Sequence, residues 1–171
     1  MTGSKDDPMP IAVEVENLSL DPNSKAPVLT LKETGGERAF QVYIGLMEAG
    51  SIASAMEGVT PPRPMTHDLL VHLIEDLEAR LLQVEITDIR DGTYFGALVI
   101  DQQDRTVIVD CRPSDAISLA VRVGVDILVH EKVFEKAAPL SETDSEGRGE
   151  SEIWKEILEE MDEDDFGKYK M

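Results

Sequence analysis

Apolar and polar residues alternate from residue 11 to residue 20 (IAVEVENLSL), and the run stops at Asp21-Pro22-Asn23-Ser24, so it predicts a strand followed by a turn. Two more strands, Pro27 to Glu33 and Arg38 to Ile44, flank Thr34-Gly35-Gly36-Glu37, where paired glycines supply the positive φ of a tight hairpin. After Gly45 the period changes: Leu46 to Glu57 is rich in Ala and Met, lacks proline and meets Gly58, as a helix with a C-terminal glycine would. Pro61, Pro62 and Pro64 then stiffen a loop around Arg63. Thr66 is expected to cap a second helix whose stripe of Leu70, Leu73, Ile74 and Leu77 packs on the protein.

Further on, Leu82, Val84 and Ile86 alternate with polar residues, Asp91-Gly92 signals a two-residue hairpin into Tyr94 to Ile100, and Thr106 to Asp110 adds a strand. Arg112-Pro113-Ser114 breaks that strand, with Ser114 as the expected cap of a helix that runs to Val123 and closes at Gly124. A short strand, Asp126 to Val129, and a helix, Glu131 to Ala138, complete the expected fold, an α+β domain with helices packed on a mixed sheet. Glu48-Ala49-Gly50-Ser51-Ile52-Ala53 and Asp115-Ala116-Ile117-Ser118-Leu119-Ala120 share the order acid, Ala, any, Ser, aliphatic, Ala, each after three expected strands. That echo suggests an internal strand-strand-strand-helix duplication, with Glu48 and Asp115 in equivalent first turns. The expected organisation is a flexible N-terminus (1–10), one domain (11–138), a polar linker (139–151) and an acidic amphipathic helix and tail (152–171) whose stripe includes Ile153, Trp154, Ile157, Leu158 and Met161.

Charge changes the functional picture. Among 171 residues, 35 acids face 16 bases, a net charge of -19. Residues 141–171 carry -8 of it and residues 1–140 the remaining -11, so the acidity is general. It is either a solubilising surface or an adaptation to a salt-rich cytoplasm, and in dilute buffer it opposes binding to nucleic acid and anionic membranes. Cys111 is the one cysteine, which excludes an internal disulfide and fits a reducing compartment. With no apolar signal-peptide core in MTGSKDDPMP and no stretch of membrane-spanning length, the expectation is a cytoplasmic protein with no membrane partner.

P-loop, dinucleotide fingerprint, nucleophile elbow, HExxH and paired CxxC patterns are all missing. Polar residues gather instead at three loop-to-helix junctions: Gly45 to Glu48, Arg63 to Asp68, and Arg112 to Asp115. Glu48, Asp68 and Asp115 have two readings, as acids favoured by the helix dipole or as converging oxygen ligands for a divalent cation, Mg²⁺ or Mn²⁺. Arg63 and Arg112 leave proline-stiffened backbone, as a phosphate clamp requires, or else form structural ion pairs, for instance Arg112 with Asp115. His67 is a general acid or base, or a hydrogen-bonding residue beside a helix start. His72 and Asp76 are expected to pair on the surface, and Cys111 to be a small core residue.

These junctions are where the chain resembles the bifunctional nuclease domain family. The matching segments are Ile44-Gly45 with Glu48-Ala49 and Ile52-Ala53, the run Pro62-Arg63-Pro64-Met65-Thr66-His67-Asp68-Leu69-Leu70, Asp91-Gly92-Thr93, and Val109-Asp110-Cys111-Arg112-Pro113-Ser114-Asp115-Ala116-Ile117. Tyr43 stands where a tryptophan is common in the family. The resemblance implies a compact α+β homodimer and, for some members, cleavage of both RNA and DNA. Motif match and chemistry together make Arg63, His67, Asp68 and Arg112 the catalytic candidates and Glu48, Asp68 and Asp115 the metal candidates. The expected activity is metal-dependent phosphodiester hydrolysis; the alternative is a noncatalytic dimeric ligand-binding or regulatory module.

Overall fold

The computed structural model describes residues 9–138. Expectations for residues 1–8, the linker and the C-terminal helix therefore lie outside the described residues. The chain runs β1 (Ile11–Leu20), β2 (Pro27–Glu33), β3 (Ala39–Tyr43), α1 (Leu46–Met56), α2 (Thr66–Asp76), β4 (Ala79–Arg90), β5 (Thr93–Gln102), β6 (Arg105–Cys111), α3 (Pro113–Val123), β7 (Asp126–Val129) and α4 (Glu131–Lys136). The strands form one seven-stranded sheet in the order β3-β2-β1-β7-β4-β5-β6, so this is the expected α+β fold on a mixed sheet.

Short β7 is the keystone. It pairs antiparallel with β1 and parallel with β4, which sets Ile127 opposite Val13 on one side and Val84 on the other. Two antiparallel meanders, β1-β2-β3 and β4-β5-β6, extend from it to either side, and each leads into a helix of eleven residues. Strand-strand-strand-helix thus occurs twice, a repeat of element order that does not by itself establish a duplication. Glu48 and Asp115 are each the third residue of those helices, and the echo's alanines, Ala49, Ala53, Ala116 and Ala120, are all buried. Methyl-sized side chains let α1 and α3 lie close, and α2 packs on α3 from another side.

Turns follow local chemistry. Asp21 Oδ1 accepts hydrogen bonds from the backbone N–H of Asn23 and Ser24 and from the Ser24 hydroxyl, closing the first turn. Asp91 and Gly92 have φ of 49° and 74°, the paired positive values of a primed hairpin turn. Gln103 and Asp104 make a similar turn, at 50° and 63°, without the glycine that would have announced it. An aromatic cluster links elements that are not neighbours in the sheet: Phe40 of β3 stacks on Tyr94 of β5 at 5.8 Å and meets Phe134 of α4 edge-on at 5.3 Å. Tyr94 Oη also donates to the Gln41 carbonyl, joining strands far apart in the sheet order.

Four sequence expectations are corrected. Neither Thr66 nor Ser114 is a cap: Met65 and Arg112 hold those places, Thr66 is the first residue of α2, and buried Ser114 lies in the first turn of α3 behind Pro113. On α2 the inward face is His67 and Val71, with Ile74 of the expected stripe partly buried beside them, while Leu70, Leu73 and Leu77, with Leu69, are exposed. One helical face cannot serve both sets, and the buried imidazole takes the place assigned to leucine. His72 and Asp76 are both exposed and form no ion pair with each other.

Asp88 anchors α4 to β4. Its buried carboxylate accepts hydrogen bonds from Lys136 Nζ (2.8 Å), Arg90 Nε (2.9 Å) and its neighbour's backbone N–H, with Lys132 close by. The bonds from Lys136 and Arg90 hold its carboxyl well below the ordinary 3.8. Because the folded state favours the ionised form, this stabilisation is present above the unfolded pKa and lost as pH falls below it. The urea midpoint is expected to fall below about pH 4, with Asp88→Asn lowering the neutral-pH midpoint and flattening that fall. An identical acid slope in wild type and variant contradicts this role.

Candidate functional site

The first turns of α1, α2 and α3 meet at one place, and Arg112 is at its centre. It is the N-cap of α3, in extended conformation, with Pro113 fixing the first helical residue. Its Nε and Nη2 donate to Asp115 Oδ2 (2.8 Å) and Oδ1 (2.9 Å), a bidentate pair, and Nη1 donates to Glu48 Oε1 (2.8 Å) on α1. One guanidinium thus bridges the two acids that occupy equivalent helix positions. The arginine is nonetheless 65% exposed at its side chain, and three bonds leave two of the five N–H groups of a guanidinium for another acceptor.

His67 closes the cluster from α2. Its Nε2 lies 3.1 Å from Asp115 Oδ1 and its Nδ1 2.8 Å from Ser51 Oγ on α1. Burial opposes ionisation of Asp115, but hydrogen bonds from Arg112 and His67 outweigh it and hold the carboxyl below its ordinary value. The same two acids raise the pKa of Arg112. Two carboxylates against one guanidinium leave one negative charge when His67 is neutral.

Of the residues singled out by sequence, Glu48, His67, Arg112 and Asp115 are brought together. Asp68 is directed elsewhere: its Oδ1 accepts from Arg122 Nε (2.7 Å) on α3 and its Oδ2 from the Met65 N–H (2.9 Å), which locks α2 to α3. Burial works against its ionisation too, and the Arg122 and Met65 hydrogen bonds prevail, lowering its pKa. Arg63 is exposed in the proline loop, without a carboxylate partner among the described residues. Cys111 packs against the core, and burial with the charges of Asp115 and Asp110 pushes its thiol up to about 11, where it is a poor nucleophile.

Sequence reasoning missed three contributors and, at Gly45, the reason for a glycine it had already placed at a junction. Ser51 was visible only as a letter in the echo, and Arg122 only as a basic residue late in a helix. Gly96 of β5 allows the approach of the Arg112 segment, since a Cβ there would come within 3.1 Å of the Cys111 carbonyl oxygen and 3.2 Å of Pro113 N. At Gly45 a Cβ would overlap Glu48 Oε2, so the bare N-cap lets the glutamate fold back towards its helix start.

The bifunctional nuclease domain model matches residues 29–142, a span that holds every residue of this cluster. The chain belongs to the bifunctional nuclease domain family. Strand β1 lies before the matched span, although it is one of the two strands that seat β7. An uncharacterized protein of Mycobacterium tuberculosis is 40% identical over 161 residues, covering 90% of this chain and 96% of that one. Bifunctional nuclease 1 of Oryza sativa subsp. japonica is 29% identical over 106 residues, 59% of this chain and 31% of the rice protein. Bifunctional nuclease domain membership gives the cluster a functional setting but names none of its residues.

Asp68 and Gly45 separate scaffold from site. Asp68→Ala, which strands Arg122, is expected to destabilise by about 1.5–3 kcal/mol, lowering Tm by about 3–12 °C. Gly45→Ala is expected to move Tm by no more than about 2 °C while displacing only the flexible end of Glu48. Thermal melts check both, and an unchanged Tm in Asp68→Ala contradicts the locking role.

Proposed function

We propose that this protein is a nuclease that hydrolyses phosphodiester bonds in RNA and DNA, with Arg112 gripping a phosphate oxygen and Glu48 and Asp115 beside it. The observation that carries this reading is the exposed guanidinium, fixed by two carboxylates with two N–H groups to spare. A pre-oriented fork of that kind suits a tetrahedral oxyanion and needs little reorganisation as charge develops on phosphorus. The name of the rice relative, Bifunctional nuclease 1, supports the same class of reaction.

Dependence on Mg²⁺ or Mn²⁺ belongs to the proposal on grounds of charge. With His67 neutral, a phosphodiester added to the cluster leaves two negative charges, which a divalent cation would balance. Glu48 and Asp115 are the hard oxygen donors that would hold it, and the ion would supply an acidified water. As arranged, both acids are engaged by Arg112, and among the described residues no three His, Cys, Asp or Glu side chains form a metal-holding group. The donor types fit a hard cation; their present spacing serves the guanidinium.

The homodimer is proposed on the exposed leucines of α2, an apolar face larger than single surface leucines explain. A cytoplasmic setting is proposed from the lone cysteine. Among the described residues no helix is long and apolar enough to cross a membrane.

Cleavage of end-labelled single-stranded RNA and DNA, by protein purified free of host nucleases, tests the proposal with Mn²⁺, Mg²⁺ or chelator at low and molar KCl. Metal-dependent cutting is expected, more than about 100-fold weaker in folded Glu48→Gln and Asp115→Asn. Absence of cutting, or equal cutting by all three proteins, contradicts the proposal and favours the binding-module alternative.

A further inference from the structure

The imidazole of His67 is buried where three helices meet, and both ring nitrogens are engaged: Nδ1 with Ser51 of α1 and Nε2 with Asp115 of α3. A carboxylate can only accept, and Asp115 Oδ1 accepts from Arg112 as well, so the proton of this contact belongs to Nε2. In the neutral ring Nδ1 is then a bare lone pair, and the Ser51 hydroxyl donates to it. We infer that Ser51 and Asp115 hold His67 as its Nε2–H tautomer, so that the histidine serves Asp115 as a fixed hydrogen-bond donor and Ser51 is a positioning residue acting through it.

The assignment explains why a histidine occupies the inward face of α2. A ring with both nitrogens committed inside the protein is poorly placed to exchange a proton with a bound strand, but well placed to orient a carboxylate. The donor bond from Nε2 and the bidentate bond from Arg112 fix Asp115 from two directions, leaving the exposed guanidinium edge as the outward surface of the cluster. Ser118 supplies an internal comparison. It holds in the α3 half of the echo the place that Ser51 holds in α1, yet its buried Oγ has no hydrogen-bond partner among the described residues. Serine at this helix position therefore does not require a bond, and what distinguishes Ser51 is the imidazole beside it.

Long-range ¹H–¹⁵N correlation spectra of the full chain, labelled at histidine, read the tautomer without reference to nuclease activity, so failure here and failure of the proposed function are distinguishable. His67→Gln identifies the ring among the three histidines. At a pH where the ring is neutral, the wild type is expected to show a protonated Nε2 and an unprotonated Nδ1. In Ser51→Ala the Nδ1 signal is expected to shift or broaden, in Ser51→Thr to return towards the wild-type position, and in Ser118→Ala to stay. A proton on Nδ1 in the neutral wild-type ring, or a Ser51→Ala spectrum superimposable on wild type, overturns the assignment. If His67→Gln does not fold, disappearance of the Ser51-sensitive signal in Asp115→Asn and its retention in Ser118→Ala provide the identification.

Discussion

A guanidinium placed between two carboxylates is the interaction on which this site depends. Glu48 and Asp115 are delivered by separate helices, and like charges at such a junction would push α1 and α3 apart. Arg112 turns that repulsion into a bond across the junction, while remaining 65% exposed and keeping N–H groups for a further acceptor. Partial exposure limits the strength of each ion pair, so the bridge acts chiefly by fixing geometry. Stability comes from elsewhere, mainly from the buried alanines between helices and the aliphatic residues of the sheet.

The fold places this bridge by symmetry of arrangement. With β7 parallel to β4 and antiparallel to β1, the two meanders run in opposed senses from the centre, and the helices that follow them come together. Residues that are 64 apart in the chain are thereby brought within a hydrogen bond. α2 enters as a third body, held by two different contacts: Asp68 with Arg122, which is structural, and His67 with Ser51 and Asp115, which reaches the site. Adjacent residues of one motif thus do different work, because successive side chains on a helix point about 100° apart.

Strands and turns were readable because each is a local matter. Alternation over Ile11–Leu20, the Asp91-Gly92 hairpin and the Asp21 turn need only neighbouring residues, and all three are in the structure. The turn at Gln103 and Asp104 was not, since it contains no glycine and the positive φ of Gln103 is imposed by strand pairing on a residue with little local preference for it. The leucines of α2 illustrate a different limit: amphipathic spacing shows that a helix has an apolar face, and not which face the protein covers. Within the site, residue types and helix positions told which groups carry chemistry. They could not separate Asp68 from Asp115, because both are first-turn acids and only the tertiary partner differs. The close approach allowed by Gly96 was invisible for the same reason: nothing in the sequence around it announces the backbone that lies against it.

Arg112→Lys is the most direct probe of the central claim, since it keeps the charge but removes the planar fork that joins two acids and grips an oxyanion. The measurement is the rate of RNA cleavage at saturating metal by this variant and wild type, with folding verified by thermal melting. A fall of more than about 100-fold, with Tm within about 4 °C, is the result the account predicts. A folded Arg112→Lys protein that cuts RNA at the wild-type rate would contradict it.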